Sequence, residues 1–439
     1  MSIIKLNLKF IGLNMKPKRS SIFLYLLVLI SINSMAITML IPSNTTISYP
    51  YLSSYSDGVS NYNITQSVKY QVVINFSLSL SKPSSQIYNF KVARLNDRQS
   101  NSLITPHCPP YQESELLYNS IIGWDSIETG SLDKFNNTYD IFNATLSGPE
   151  NITLNQKYNI TLNEIKFSDI QDEDIGIYNP GDDIHTLFNV TEEYYECDDP
   201  TLIALSNSIV DPADNPVEKA RDIFNWIVNN IDYQEQYEEI GALEAYNRRY
   251  GDCSDFSDLM ITLLRIQSIP ARKVTGFLIT DKPSHIPKLG SKYTFDINYN
   301  GLTQTVSFSN KILGHAWVEY YVPNIGWIAC DPTWGKGYFN KIDFFRFNLN
   351  IGAWFFLPGA TPPKDYISEF PINPSPVCSD HTAYNWQYSI EITVLETNLI
   401  PSTPFPIFVV IFIVIGLAVI LIVVILLVRR GGKKEVFSY

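Results

Sequence analysis

The chain has 439 residues, 45% hydrophobic content and a formal net charge of −12, so it is long enough for two or three domains with buried cores. We expect no nucleic-acid partner, because an acidic chain without a Lys/Arg-rich patch outside its two ends lacks the charge that phosphate binding requires. The acidic run at 169–174 lacks the glycine and the carboxylate spacing of a calcium loop. We therefore expect no bound metal and no cofactor.

The N-terminal end has the three parts of a secretory signal peptide. The first 19 residues carry five Lys or Arg and no acid, residues 22–30 are almost wholly apolar, and Ser34-Met-Ala36 supplies small residues. We predict a signal peptide over residues 1–36. The alternative is an uncleaved membrane anchor, because apolar character continues to Ile41.

Residues 37–200 have the pattern of β-strands. Four runs alternate apolar with polar residues: 70–80, 89–94, 139–146 and 157–167. A β-sandwich-like domain is the simplest fold that buries one face of each strand. The same segment contains the acceptor sequences for N-glycosylation, at Asn44, Asn63, Asn75, Asn136, Asn143, Asn151, Asn159 and Asn189. We predict that this domain carries sugars or at least presents a polar surface all round.

Three helices are predicted next. Residues 201–210 are apolar enough for a short helix, and Asn215-Pro-Val-Glu218 combines an N-cap, a proline at the first helical position and a capping-box partner. A third short helix covers 242–249. We interpret Trp226 and Tyr233 as core residues rather than as the walls of a substrate pocket.

Cys253 directly precedes a run, 254–267, in which apolar residues recur at helical spacing. Its sulfur is therefore expected at a helix N-terminus. The unpaired N–H groups and the dipole at that end stabilise negative charge, which favours the thiolate over the thiol. The sequence thus predicts a reactive cysteine at residue 253.

His315 and Asp331 are predicted to lie on neighbouring strands. Two apolar runs, 315–322 and 327–331, are joined by Pro323-Asn-Ile-Gly326, which is typical of an antiparallel hairpin. With the turn at one tip, both residues lie toward the open end, where a helix can bring Cys253 to them. A thiolate, an imidazole and a carboxylate form the arrangement that acyl transfer needs.

The segment 281–313 interrupts the sequence just before His315. Within it, 295–299 and 303–308 are predicted to pair through a turn at Asn300-Gly301, which is a strong hairpin signal. We expect this insertion to border the cleft.

Several motifs in this part of the chain resemble those of the transglutaminase-like superfamily, whose core is papain-like. They are Tyr250-Gly-Asp-Cys, Ile269-Pro-Ala-Arg, Gly314-His-Ala-Trp, Gly326-Trp and Asp331-Pro-Thr-Trp. The resemblance covers roughly 215–336, and Ser268 stands where the family usually has glycine. It implies an α+β fold, with helices packed on an antiparallel sheet over residues 201–345. It also implies a catalytic triad of Cys253, His315 and Asp331.

The C-terminal part contains a predicted membrane anchor. Residues 346–404 form an extension and stalk with a last alternating strand at 388–395. Residues 405–428 carry no charge and span about 36 Å as a helix, against about 30 Å for the hydrocarbon core of a bilayer. The basic tail at 429–439 is therefore expected in the cytoplasm, with the rest of the chain outside the cell.

Two functions remain open at this point. The first is a cell-surface thiol enzyme, anchored in the cell membrane, that acts on amide bonds of a peptide or protein by transfer to an amine or by hydrolysis. The second is a catalytically silent binding or adhesion module on the same fold. The complete set of Cys253, His315 and Asp331 favours the enzyme, because binding alone gives no physical reason to keep these three groups.

The five cysteines are an odd number for an oxidising compartment. If Cys253 is the nucleophile, it must stay a thiol. We favour disulfides between Cys108 and Cys197 and between Cys330 and Cys378, although four cysteines allow three connectivities. Alternatively, Cys330 is a small buried hydrophobic residue.

Overall fold

The computed structural model describes residues 61–80, 86–100, 102, 105–146, 151–168, 170–236, 239–310, 312–352, 355–356, 366–367 and 384–399. All of them belong to one compact unit, Ser56–Tyr439. The predicted signal peptide (1–36), membrane span (405–428) and tail (429–439) lie outside these residues. Within the described ranges, no helix is both long and apolar enough to cross a membrane.

Strands are the commonest secondary structure in the described chain. In chain order they are β1 (Tyr62–Leu80), β2 (Gln86–Ala93), β3 (Gln112–Ile122), β4 (Ser126–Leu132), β5 (Thr138–Leu146), β6 (Asn151–Phe167), β7 (Asp232–Tyr233), β8 (Tyr250–Gly251), β9 (Ala271–Leu278), β10 (Lys292–Asn300), β11 (Thr305–Asn310), β12 (Leu313–Val322), β13 (Gly326–Cys330), β14 (Lys341–Ile342), β15 (Arg346–Ile351), β16 (Phe355–Phe356), β17 (Tyr366–Ile367) and β18 (Tyr384–Asn398). The four N-terminal strand predictions and the last strand prediction are confirmed, whereas β3 and β4 were not predicted.

Five α-helices accompany these strands within the described residues: α1 (Asp183–Phe188), α2 (Pro200–Ile209), α3 (Pro216–Asn230), α4 (Gly241–Arg248) and α5 (Cys253–Ile266). The helices predicted at 201–210, after Asn215, at 242–249 and after Cys253 are confirmed. At the start of α3, Asn215 Oδ1 accepts from the N–H groups of Val217 and Glu218, at 2.9 and 3.0 Å. The capping box read from the sequence is thus formed.

A seven-stranded sheet is the largest layer of the fold. Its strand order is β11-β10-β18-β1-β6-β14, and β3 also pairs with β6. Buried and less buried residues alternate along β1, because successive side chains point to opposite faces of a sheet. Its buried face shares one hydrophobic core with residues of a three-stranded sheet in the order β2-β5-β4. The N-terminal strands therefore pack in two layers.

A smaller antiparallel sheet carries the segment with the family motifs. Its order is β13-β12-β9-β15. Helices α2, α3 and α5 and this sheet contribute to a second hydrophobic core, in which Trp327 and Phe256 are buried. The hairpin predicted around 323–326 is confirmed, with Val318 opposite Cys330. The expected arrangement of helices packed on an antiparallel sheet is confirmed here.

Side chains from the N-terminal strands bind the outer edge of this smaller sheet. Gln112 exchanges two hydrogen bonds with the backbone of Asn348, at 2.8 and 3.1 Å. Asn137 does the same with Ile351, with both bonds at 2.7 Å. The two amides take the place of a neighbouring strand for β15, since a side-chain amide offers the same donor and acceptor as a peptide group.

The hairpin predicted within 281–313 is confirmed as β10 and β11. It belongs to the large sheet, where β10 pairs with β18. The seven acceptor asparagines within the described residues are all partly or fully exposed, and Asn44 lies outside those residues. Solvent can therefore reach each of these seven positions.

Candidate active site

Cys253 is the first residue of α5, and the N-cap is Asp252. The carboxylate of Asp252 accepts from Ser254 N at 2.9 Å, and Asp255 Oδ2 accepts from Asp252 N at 2.9 Å. This capping box fixes the helix start, which is why the chain turns at the cysteine. Cys253 is 9% exposed, so its sulfur is close to the surface but shielded.

Gly251 is required by the close approach of α5. A Cβ at residue 251 would lie 2.5 Å from Asp255 Cβ, which is closer than side-chain atoms can come. The glycine of the Gly-Asp-Cys motif therefore lets the capping carboxylate of Asp255 fold back under the loop.

His315 and Asp331 are in direct contact. His315 Nε2 donates to Asp331 Oδ2 at 2.7 Å, with the two side chains 6% and 0% exposed. Because Nε2 faces the carboxylate, Nδ1 is the ring nitrogen left to take up and return a proton. Asp331 Oδ1 accepts from Thr333 N at 3.1 Å, which orients the carboxylate. The predicted meeting of these two residues is confirmed.

Arg346 is a third group on the same carboxylate. Its Nη2 and Nε donate to Asp331 Oδ2 at 2.7 and 3.1 Å, and its Nη1 is 2.5 Å from Asp343 Oδ1. The guanidinium is stacked over Trp334 and Tyr338, 4.3 and 4.8 Å from the ring centres. Burial alone would raise the pKa of Asp331, but the charges of His315 and Arg346 lower it to about 2. The carboxylate is therefore an anion at every physiological pH.

Helix α5 packs against β12 and against the 3-10 turn Pro332–Trp334 that follows Asp331.

Tyr233 interacts electrostatically both with the start of α5 and with Asp331. Burial raises its pKa, and the neighbouring charges of Cys253, Asp252 and Asp331 raise that pKa further. Its side chain is 54% exposed, so the prediction that Tyr233 is a core residue is wrong. Tyr233 lies just beyond the end of α3, on the two-residue strand β7, where its ring can face solvent. Trp226, in contrast, packs against the second core.

A buried charged cluster lies under the same helix. Lys273 forms ion pairs with Asp258 and Glu239, the first at 2.7 Å, and Asp255 Oδ1 accepts from Ile240 N at 2.9 Å. Burial raises the pKa of Asp255 to about 6. These contacts hold the loop before α4 against α5. These contacts were not predicted, although acids inside an otherwise apolar helical run were a possible signal.

Neither predicted disulfide is formed. Cys108 and Cys197 are free thiols, and Cys108 lies instead between the buried guanidinium groups of Arg98 and Arg272, 3.6 and 3.7 Å from its sulfur. Cys330 is also a free thiol, fully buried with its sulfur 3.9 Å from Met260 Sδ. Its alternative interpretation as a small buried hydrophobic residue is confirmed. The proposed partner Cys378 lies outside the described residues.

Comparison with known proteins identifies this part of the chain. The profile of the Transglutaminase-like superfamily matches residues 203–332, which include Cys253, His315 and Asp331. The chain carries a transglutaminase-like domain. That domain is surrounded on both sides by chain that the profile does not cover, and Arg346 belongs to the part that follows it.

Two curated relatives match part of this chain. YebA of Bacillus subtilis, an uncharacterised protein, is 33% identical over 116 residues, which is 26% of this chain and 13% of YebA. A protein-glutamine gamma-glutamyltransferase of Pseudomonas aeruginosa is 30% identical over 89 residues, which is 20% of this chain and 11% of that enzyme. This chain therefore aligns with only a small part of either relative.

Two solved structures are also similar to this chain. A candidate cysteine protease from Cytophaga hutchinsonii is 16% identical with a TM-score of 0.42, covering 77% of this chain and 95% of the protease chain. The periplasmic domain of TgpA from Pseudomonas aeruginosa is 15% identical with a TM-score of 0.29, covering 60% of this chain and 88% of the other.

Within the part of the chain that the structure describes, no group of three or more His, Cys, Asp or Glu side chains is placed to hold a metal ion. The groups predicted to react are the thiol of Cys253, the imidazole of His315 and the carboxylate of Asp331. Such a set can exchange a proton and carry a covalent acyl group.

Proposed function

We propose that this protein is a thiol enzyme that acts on amide groups of peptides or proteins through Cys253, His315 and Asp331. The observation that carries the proposal is the 2.7 Å hydrogen bond from His315 Nε2 to Asp331 Oδ2, beside a helix whose first residue is Cys253. The order of thiol, imidazole and carboxylate gives each group one role in acyl transfer.

The first half of the reaction forms a thioester. His315 Nδ1 takes the thiol proton, and the sulfur of Cys253 attacks the amide carbonyl carbon. As the C–N bond breaks, the imidazolium returns the proton to the leaving nitrogen, which departs as ammonia from a glutamine side chain or as an amine from a peptide bond. Asp331 stabilises the imidazolium between these two proton transfers.

The second half resolves the thioester. Water or an amine such as a lysine side chain attacks the same carbonyl carbon, while His315 removes one proton from the attacking group. The C–S bond breaks, and the proton returns to the sulfur of Cys253. Water gives a carboxylic acid, and an amine gives a new amide.

Backbone N–H groups at the start of α5 would bind the negative oxygen of each tetrahedral intermediate. The N–H of Ser254 already donates to Asp252, so that group serves the helix cap instead. The N–H of Cys253 is our candidate donor for the oxyanion, because it lies on the residue that forms the covalent bond.

Glutamine side chains are the acyl donor that we favour. The protein-glutamine gamma-glutamyltransferase of Pseudomonas aeruginosa supports this choice by its name and by its 30% identity over the matched segment. We further propose that the enzyme faces the cell exterior, anchored by residues 405–428. The exposed acceptor asparagines within the described residues support an exterior location.

Labelled-amine incorporation tests the reaction. The full-length chain, solubilised in detergent, is incubated with glutamine-containing peptides with and without a labelled primary amine, beside the Cys253→Ala variant. Label in the peptide indicates transfer, and ammonia or cleavage alone indicates hydrolysis. Turnover that survives in Cys253→Ala, or none with the wild type on any amide, would overturn the proposal and leave the binding module as the alternative.

A further inference from the structure

Arg346 lies outside the matched domain, yet it is the arginine bound to Asp331. It is fully buried, and two of its nitrogens donate to the same oxygen that accepts from His315. Two N–H donors from one rigid guanidinium fix the position of the oxygen that accepts them. Arg346 is thus built into the contact between His315 and Asp331.

The approach of β15 to β9 brings Arg346 within hydrogen-bonding distance of Asp331. Gly276 on β9 pairs with His315 on one side and with Asn348 on the other. A Cβ at residue 276 would lie 1.8 Å from the carbonyl oxygen of Phe347, so only glycine allows this approach. Gly276 therefore allows β15, and with it Arg346, to lie close to the part of the sheet that contains His315.

The charges around the ring follow from these contacts. Asp331 and Asp343 are two buried carboxylates, and Arg346 between them is bound to both. Together they leave one net negative charge next to His315. Removing Arg346 would leave two negative charges there, whereas neutralising Asp343 would leave none. Two substitutions in one network thus change the charge at the ring in opposite directions.

We propose that Arg346 is a positioning residue for His315. It holds the Asp331 oxygen that accepts from His315 Nε2, and it sets the net charge that stabilises the imidazolium during acyl transfer. The inference rests on the proposed function, because positioning matters only if His315 exchanges a proton. Arg346 itself does not touch the reacting atoms.

The other charged or titratable groups around His315 and Asp331 are identified by their electrostatic contacts. Three of them are in electrostatic contact with Asp331: Tyr233 on β7, Cys330 on β13 and Tyr338 before β15. Tyr233 is in turn in electrostatic contact with Cys253, Asp252 and Glu235, and Asp343 is bound to Arg346. None of these groups is changed in the Arg346 variants, so a shift at the ring reports the guanidinium.

The test measures the protonation of His315 directly. The full-length protein with 13C-labelled histidine is titrated by NMR, with His315→Gln used to assign the signal. Arg346→Gln should move the titration midpoint of His315 up by about one pH unit, and Asp343→Asn should move it down by a similar amount. Arg346→Lys keeps the positive charge and should stay within about half a unit of the wild type.

Turnover of the glutamine peptide is followed in the same variants. Arg346→Gln should lower kcat more than it raises KM, because substrate does not contact the guanidinium. Shifts in the same direction for Arg346→Gln and Asp343→Asn, or no shift in either, would overturn the inference. If Arg346→Gln fails to fold, Asp343→Asn and Arg346→Lys still decide it. If the wild type is inactive but Arg346→Gln and Asp343→Asn shift the His315 titration midpoint in opposite directions, only the proposed function is overturned.

Discussion

Two buried carboxylates of the smaller sheet, Glu319 and Asp331, are bound by different kinds of partner. Glu319 on β12 lies between Arg98 and Arg272, with the nearest nitrogens at 2.5 and 2.7 Å. Asp331, after β13, is bound by one arginine and by His315. A guanidinium keeps its charge at all accessible pH, whereas an imidazole gains and loses one near neutrality.

The difference separates a structural site from a reactive one. Burial would raise the pKa of Glu319, but the charges of Arg98 and Arg272 outweigh it and lower that pKa. Every partner of Glu319 is therefore permanently charged, and the cluster can only hold the fold together. Asp331 faces one partner whose charge can change, so the same kind of buried anion can support proton transfer.

The largest expected effect is on turnover, when His315 at the reactive site is replaced. His315→Ala should lower kcat/KM by roughly 10³-fold or more, because the thiol then loses its proton acceptor and donor. The free energy of unfolding should change by less than about 1 kcal/mol, since Asp331 keeps Arg346. Peptide turnover and urea unfolding measure the two quantities, with Cys253→Ser as the matched variant. Loss of the fold in both variants would contradict the comparison.

Changes in the structural cluster of Glu319, Arg98 and Arg272 should instead lower stability. Glu319→Gln should lower the free energy of unfolding by about 3–5 kcal/mol, because it leaves two buried guanidinium groups without an anion. Urea unfolding measures this loss. The double variant Glu319→Gln with Arg98→Met removes one of the two charges and should recover part of the stability. A single variant as stable as the wild type would mean that water reaches this cluster.

A smaller effect is expected in the pH dependence of stability. The pKa of Asp331 is lowered from 3.8 to about 2, so its charged form stabilises the fold by about 2 kcal/mol above pH 4. That contribution should disappear as the pH falls from 4 to 2. The gap in unfolding free energy between wild type and Asp331→Asn should therefore narrow over this range.

Asp255 provides a control of opposite sign for that measurement. Its pKa is raised to about 6 by burial, so its contribution is fully present below pH 3.8 and is lost as the pH rises through 6. The gap between wild type and Asp255→Asn should accordingly change between pH 4 and 6. Equal behaviour of the two variants would show that general acid unfolding dominates.

The smallest effect is expected at Tyr233. Tyr233→Phe keeps the half-exposed ring but removes the hydroxyl group from the neighbourhood of Cys253. We expect less than about a tenfold change in kcat/KM, mainly through KM, because the ring is kept and the hydroxyl group takes no part in the proposed proton transfers. Steady-state kinetics with the glutamine peptide measure it, and Tyr233→Ala should raise KM further. A loss in kcat as large as that of His315→Ala would give Tyr233 a role in the chemistry itself.

Much of the site could be predicted because its signals are local. The helix at Cys253 follows from apolar spacing and a cap, and the hairpin that carries His315 and Asp331 follows from alternation and a turn. The motifs then connected these elements to a known domain. None of these steps required knowledge of a distant residue.

The parts that were missed depend on distant partners. Arg346 has no local pattern that marks it, because its carboxylate lies on another element and is brought near by the packing of β15 on β9. The hairpin at 292–310 was recognised, but its pairing with β18 could not be seen from its own sequence. The assignment of Cys108 to a disulfide failed for a similar reason, since one of its two arginine neighbours, Arg272, is remote in the chain.

The position of β18 in the large sheet has a consequence for how the protein is made. This strand lies between β1 and β10, with Ile390 opposite Ile74, so the sheet closes around a strand that leaves the ribosome after all its other strands. Until then β1 and β10 present open edges, which are the edges through which nascent chains aggregate. Closure by such a remote strand is slow, because the entropy of a very long loop is lost before any pairing is gained. A chain that stops before Tyr384 would therefore leave two open edges within the large sheet.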